Sequence, residues 1–231
     1  MSRAIEVRWQ GELEGTPEQV WEAITVRADG WLWKIVYEPR VGGSETGLTA
    51  AGGTVTVWEP HRHFTTRGPD LDGFNQLDFV LEPRGAKTFL SYIHNGVLPD
   101  DDYDIQADAC RQHTAFYNHS LGQYVRHFAG RRCDYVTAEA EVGFAAVRAA
   151  LGLPAEVEAG DRVRLTPAGL TPIDGVVDYA TPAFLGVRSD DALYRFYGRD
   201  VWGWPVGVAH HLFAGGDSSA DWNAWLVKEV A

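Results

Sequence analysis

The chain has 231 residues, 45% of them hydrophobic and 12% aromatic, with nine tryptophans, enough for the core of one large domain or two small ones. Its formal net charge of -12 argues against nucleic acid and anionic membranes as partners, since both are held by clustered Lys and Arg. Cys110 and Cys133 are too few for a disulfide scaffold, Met1–Val7 has no apolar signal core, and no 18-residue apolar run occurs; the expected setting is the cytoplasm, with free thiols.

From the start, Ile5, Val7 and Trp9 alternate with Glu6, Arg8 and Gln10, which predicts a half-buried strand over 4–14. Thr16 is a helix cap and Pro17 fits the first helical position, with Val20, Trp21 and Ile24 on one face. Strands are expected at Leu32–Tyr37, Thr54–Glu59, His63–Arg67, Phe74–Leu81 and Lys87–Gly96, joined by turns at Glu59-Pro60, Gly68-Pro69 and Pro83-Arg84-Gly85. A long helix follows from about Asp100 to Phe128, opened by acidic residues that suit its N-terminus.

Gly130-Arg-Arg reads as a boundary between residues 1–130 and a second module, 137–231. A helix is expected from Glu139 to Gly152 or Pro154. Strands should follow at Arg162–Thr166, Gly175–Tyr179, Ala183–Arg188, Ala192–Gly198 and Val206–Phe213, with a last helix over Ser218–Val230. The halves echo each other: Gly53, Val55 and Pro60 recur 122 positions later as Gly175, Val177 and Pro182, and the same shift pairs Val20 with Val142 and Ala23 with Ala145. Tyr92-Ile-His94 matches Val208-Ala-His210 at an offset of 116. The expectation is a duplicated fold whose second copy lacks a first strand and ends in a shorter helix.

The segments Thr16-Pro-Glu-Gln-Val-Trp-Glu-Ala-Ile24, Gly53-Thr-Val-Thr-Val-Trp-Glu-Pro60 and Thr88-Phe-Leu-Ser-Tyr-Ile-His-Asn95, followed by the long helix, resemble the SRPBCC (START-like, helix-grip) superfamily. Within it they look most like the branch named for the activator of the heat-shock-protein-ninety ATPase, in its small bacterial form. Two places depart from that pattern: Pro60-His-Arg62 replaces a double proline with a basic residue, and Trp31-Leu-Trp33 lacks the usual acidic and double-tryptophan arrangement. The resemblance implies an α+β fold, a curved antiparallel sheet wrapped on a long C-terminal helix with an apolar cavity between them. It also implies a small hydrophobic guest, a lipid, hormone or polyketide, that some members cyclise or hydrate, while others act as co-chaperones.

No phosphate-binding glycine loop, zinc-protease helix or nucleophile elbow is present, so no cofactor or metal is expected. His61 and His63 form an H-x-H pair without a third ligand, Asp100–Asp102 reads as a solvated cap, and Asn118-His-Ser120 as a chance glycosylation match. His94 and His210 are the candidate acid/base residues. His113, Tyr117 and Tyr124 share one face of the long helix, and Trp9, Trp33, Tyr37, Phe64, Phe79 and Phe89 are candidate cavity walls. The leading reading is a non-catalytic binder of a small hydrophobic molecule, compatible with a homodimer. The alternatives are a cyclase- or hydratase-type enzyme, using His94 or His210 with a helix tyrosine, and a co-chaperone-like module that binds a chaperone.

Overall fold

A computed structural model describes residues 2–70 and 73–230, apart from the side chain of Asp70. The chain divides into two compact units, the first ending at Arg131 and the second beginning at Arg132. The first unit carries β1 (Ser2–Leu13), α1 (Pro17–Thr25), a 3-10 turn at Ala28–Gly30, β2 (Val36–Tyr37), β3 (Ser44–Thr46), β4 (Gly53–Glu59), β5 (His63–Asp70), β6 (Gly73–Arg84), β7 (Lys87–Pro99) and α2 (Tyr103–His127). Its seven strands form one antiparallel sheet in the order β1-β7-β6-β5-β4-β3-β2.

Local chemistry explains these elements. Thr16 and Gln19 exchange side-chain and backbone hydrogen bonds in a capping box, and Pro17 occupies the first turn of α1. α2 lies along β1: Ala107 packs on Ile5 and Val7, the Tyr103 hydroxyl donates to the Ala4 carbonyl at 3.0 Å, and a Cβ on Gly15 would collide with Val125. This is a helix-grip arrangement, α+β with a curved sheet and a closing helix.

The second unit repeats the plan with β8 (Asp134–Ala140), α3 (Phe144–Ala150), β9 (Arg162–Leu165), β10 (Ile173–Ala180), β11 (Phe184–Arg188), β12 (Ala192–Tyr197), a 3-10 turn at Arg199–Trp202, β13 (Val206–Leu212) and α4 (Ser219–Trp225), which runs on as a π-helical turn, Leu226–Val230. Its sheet order is β8-β13-β12-β11-β10-β9, so in both units the first strand pairs with the last. The expected lack of a first strand is thus corrected. Asp134–Ala140 is that strand, with Val136 and Ala138 buried at period two, where sequence reading had started a helix at Glu139.

The duplication is visible in detail. Gly53 on β4 and Gly175 on β10 each lie so close to the next strand that a Cβ would sit 2.9 Å from the Arg67 carbonyl and 2.8 Å from the Arg188 carbonyl, respectively. Val55 and Val177 are both fully buried, and both strands are bulged just beyond them, between Val55 and Val57 and between Val177 and Tyr179. The offset of 122 therefore holds through the bulge. It fails at the helices: Val142 precedes α3, and the register partners of His94 and His210 are Val7 and Val136, 136 − 7 = 129 apart.

One turn is also misplaced by sequence. Gly68 and Pro69 continue β5 to Asp70, because β4 ends its pairing at Thr54 opposite Arg67 and leaves no donor required of Pro69 on that side. Among the described residues no helix is long and apolar enough to cross a membrane.

Candidate functional site

The inner face of the first sheet carries a row of rings. Trp9, Tyr92, Phe79 and Phe64 stand opposite one another across β1, β7, β6 and β5. Tyr37 closes the row from β2, with ring centroids 4.7 Å apart for Tyr37–Phe64, 5.9 Å for Phe64–Phe79 and 4.9 Å for Phe79–Tyr92. From α2, Tyr117 meets Trp33 edge to face at 5.8 Å and lies 5.7 Å from His113. Trp33 is fixed in turn by its indole N–H, which donates to the Gly47 carbonyl at 2.7 Å.

Burial shifts two phenols, a thiol and a carboxyl on this face toward their uncharged forms. Burial raises the Tyr92 hydroxyl far above the ordinary phenol range, and the neighbouring Cys110 and Tyr117 add to the shift. Burial does the same to Tyr37, helped by Glu45 and Tyr92. The Cys110 thiol is pushed up by burial against an opposing pull from Arg111. Glu45, on β3, is only 1% exposed. One of its oxygens accepts the Leu48 N–H at 2.8 Å, and the other, Oε2, has no hydrogen-bond partner. Its pKa is raised by burial, the Leu48 bond opposing. Asn75 Oδ1, on β6, is likewise buried without a partner.

The sequence candidates thus fall into three groups. Trp9, Trp33, Tyr37, Phe64, Phe79, His113 and Tyr117 belong to the aromatic assembly just described. His94 lies on the same face, opposite Val7 and Leu77, half-buried. Tyr124 sits elsewhere: its ring is pressed against Gly30 and its hydroxyl donates to the Arg131 carbonyl at 3.2 Å, which fastens the end of α2. Phe89 is on the opposite face of β7, where the Arg84 guanidinium covers its ring at 4.1 Å, so it is no cavity wall.

His210 does occupy the position in the second unit that His94 occupies in the first, but its surroundings differ. It is 0% exposed, its Nδ1 accepts the Arg195 backbone N–H at 3.1 Å, and its ring stands edge to face with Trp222 at 4.4 Å and Phe196 at 5.0 Å. Burial, with His211 and Arg195 adding, holds its pKa well below the usual imidazole value. The space that α4 covers is filled by Val177, Val187, Phe196, Trp222, Trp225 and their neighbours.

His61 and His63 do not converge. His61 sits in a left-handed turn (φ 64) beside Trp21, while His63 donates to Asp78 at 2.8 Å in a cluster completed by Thr65. Among the described residues no three His, Cys, Asp or Glu side chains are grouped to hold a metal. Outside the sheet faces, an open groove of about 570 Å³ in the second unit is bordered by Phe144, Arg148, Glu158, Pro182 and Asp200. Asp200 there accepts the Phe144 N–H at 3.0 Å and so caps α3.

Sequence reading missed Glu45, Tyr92 and Cys110. Tyr92 was within reach, since it shares the period-two face of His94. Glu45 was not, because its burial depends on Gly53 directly across the sheet.

No protein-family model matches the chain, and no curated protein matches it. Among solved structures it is similar to CalU16 from Micromonospora echinospora, at 16% sequence identity over 54% of this chain and 86% of that one, with a TM-score of 0.43. It is similar to protein MLL2253 from Mesorhizobium loti, at 22% identity over 55% of this chain and 98% of that one, TM-score 0.43. It is also similar to the Aha1 dimer from Colwellia psychrerythraea, at 18% identity over 53% and 96%, TM-score 0.43.

Proposed function

We propose that the first unit binds a small, mainly apolar molecule between the inner face of its sheet and α2, without transforming it, and that the second unit is a copy whose corresponding space is occupied by its own core. The observation that supports this reading is the aromatic row Trp9–Tyr92–Phe79–Phe64–Tyr37 faced by Tyr117 and His113, with uncharged polar tips above apolar rings. Apolar walls supply most of the affinity of such sites, and a few placed polar groups fix orientation. The acid/base alternative loses its second histidine, because His210 is sealed beneath Trp222 and kept neutral.

Melting temperature against a panel of neutral aromatic and aliphatic compounds tests the reading. A ligand present at 100 times its Kd stabilises by about 2.7 kcal/mol, enough to move a melting curve by several degrees. The shift should vanish in Phe79→Ala/Tyr117→Ala and persist in Phe144→Ala. A panel without any shift would remove the binding function.

A further inference from the structure

Glu45 is the only acidic or basic residue among the described buried side chains of the first unit. It stands opposite Tyr37 on one side and Gly53 on the other. The missing side chain at Gly53 makes room for it: a Cβ there would lie 2.6 Å from Glu45 Oε2. A buried carboxyl oxygen without a partner is costly, and no Lys or Arg among its neighbours shifts it toward the charged form. The side chain has two inward neighbours of hydrogen-bonding chemistry, Tyr37 directly and Tyr92 beyond it. A carboxylic acid in apolar surroundings has one strong donor to offer, whereas a carboxylate has none.

Resting on the binding reading above, we propose that Glu45 is the polar anchor of this site: as a neutral acid it donates a hydrogen bond from Oε2 to the carbonyl oxygen of an uncharged aromatic ligand, and the site rejects ligands bearing a carboxylate or phosphate. Phe64 and Phe79, with ring planes 27° apart, form the surface on which a flat aromatic body would lie, and Tyr37 stands edge-on at its end, 72° to Phe64. Among the described residues no Lys or Arg acts on Glu45, so an anionic headgroup beside it would be desolvated without a cationic partner.

Four rigid probes of one size test this on the full-length chain by calorimetric titration: fluorene, fluorenone, fluorenone-4-carboxylate and 9-aminofluorene as its ammonium. The expected result is binding of fluorenone and an at least roughly tenfold weaker carboxylate. The fluorenone-to-fluorene affinity ratio should fall about tenfold in Glu45→Leu and be retained in Glu45→Gln, whose amide still donates. Bound to wild type and to Glu45→Gln, fluorenone should show its C=O stretch moved to lower wavenumber by infrared spectroscopy, a readout that stands even if Glu45→Leu does not fold. An unshifted C=O stretch, or an unchanged ratio in Glu45→Leu with both probes still binding, overturns the anchor and leaves the binding site standing. Tightest binding of the ammonium, abolished in Glu45→Gln, also overturns it, making Glu45 a carboxylate that holds a cation. Failure of all four probes overturns the anchor together with the binding reading.

Discussion

The two units share one strand order, apart from the extra edge strand β2 of the first, and line their interiors differently. In the first, a 25-residue helix faces rings with polar tips, and a buried carboxyl keeps an oxygen without a partner. In the second, a seven-residue helix and a π-helical turn press Trp222, Trp225 and Leu226 into the sheet, and the histidine equivalent to His94 is walled in. The interiors differ in the length of the closing helix and in the residue that stands opposite the paired glycines. β3 places Glu45 across from Gly53; β9 places Val163 across from Gly175.

The largest effect expected from breaking this contrast lies in the second unit. Arg195 and Asp178 form a two-pronged buried pair at 2.9 and 2.8 Å, straddling Gly186, with side chains 0% and 5% exposed. Arg195→Ala takes both of these bonds away from the buried Asp178 carboxylate and should cost about 3–5 kcal/mol in urea unfolding. Trp222→Ala should cost about 3–5 kcal/mol through the cavity it opens, and the loss should be read mainly in second-unit amide exchange. An effect under about 1 kcal/mol for Trp222→Ala would mean that the second interior is not the filled one.

Next comes pH, where the units should slope in opposite directions. His210 has a folded pKa below its unfolded value of about 6.5, so the unfolded chain binds more protons and stability is lost as pH falls below 6.5. The loss is about 1.4 kcal/mol per pH unit until the folded pKa is reached, and His210→Phe should abolish it. Glu45 has a folded pKa above its unfolded value, so its contribution is complete below about 4.5 and lost as pH rises through the folded pKa; Glu45→Gln should remove that slope. Chemical denaturation at a series of pH values reads both.

Smaller again is Gly53→Ala, whose methyl would enter the space of Glu45 Oε2 and press on the Arg67 carbonyl; about 1–3 kcal/mol is expected, relieved only in part in Gly53→Ala/Glu45→Ala because the carbonyl contact remains. The smallest is the pair of capping boxes, Thr16 on α1 and Ser218 on α4. Replacing either by Ala should cost about 1 kcal/mol, a matched control showing that the units differ in their interiors and not in their helix starts.

Much of this was legible in the sequence. The period-two runs marked β1 and most of the meanders, Thr16-Pro17 marked α1, and the Gly53/Gly175 and His94/His210 echoes marked the duplication. What escaped was what depends on contacts between distant positions. β8 was hidden because Asp134–Ala140 is short and runs into alanine-rich helix sequence, and the β5 extension because Pro69 suggests a turn unless the neighbouring strand is known to stop short. That Trp9, Tyr37, Phe64 and Phe79 point inward is readable from strand alternation, and the same alternation sets Phe89 on the face opposite Tyr92 and His94, a parity overlooked when it was counted among the walls. Glu45 could not be found, since an isolated glutamate between glycine-rich turns carries no sign of burial. His210 reads like His94, and what encloses it, Trp222 twelve residues on with Phe196 and the Arg195 N–H from β12, comes from other elements of the unit.

The claim that the first interior binds and the second does not is tested most directly by titrating isotope-labelled full-length protein with fluorenone and following amide and aromatic NMR shifts. Saturable shifts should gather at Tyr37, Glu45, Phe64, Phe79, Tyr92 and Tyr117, with Phe196, His210 and Trp222 unmoved. Shifts centred on Phe196, His210 and Trp222, or no saturable shifts at all, would contradict it.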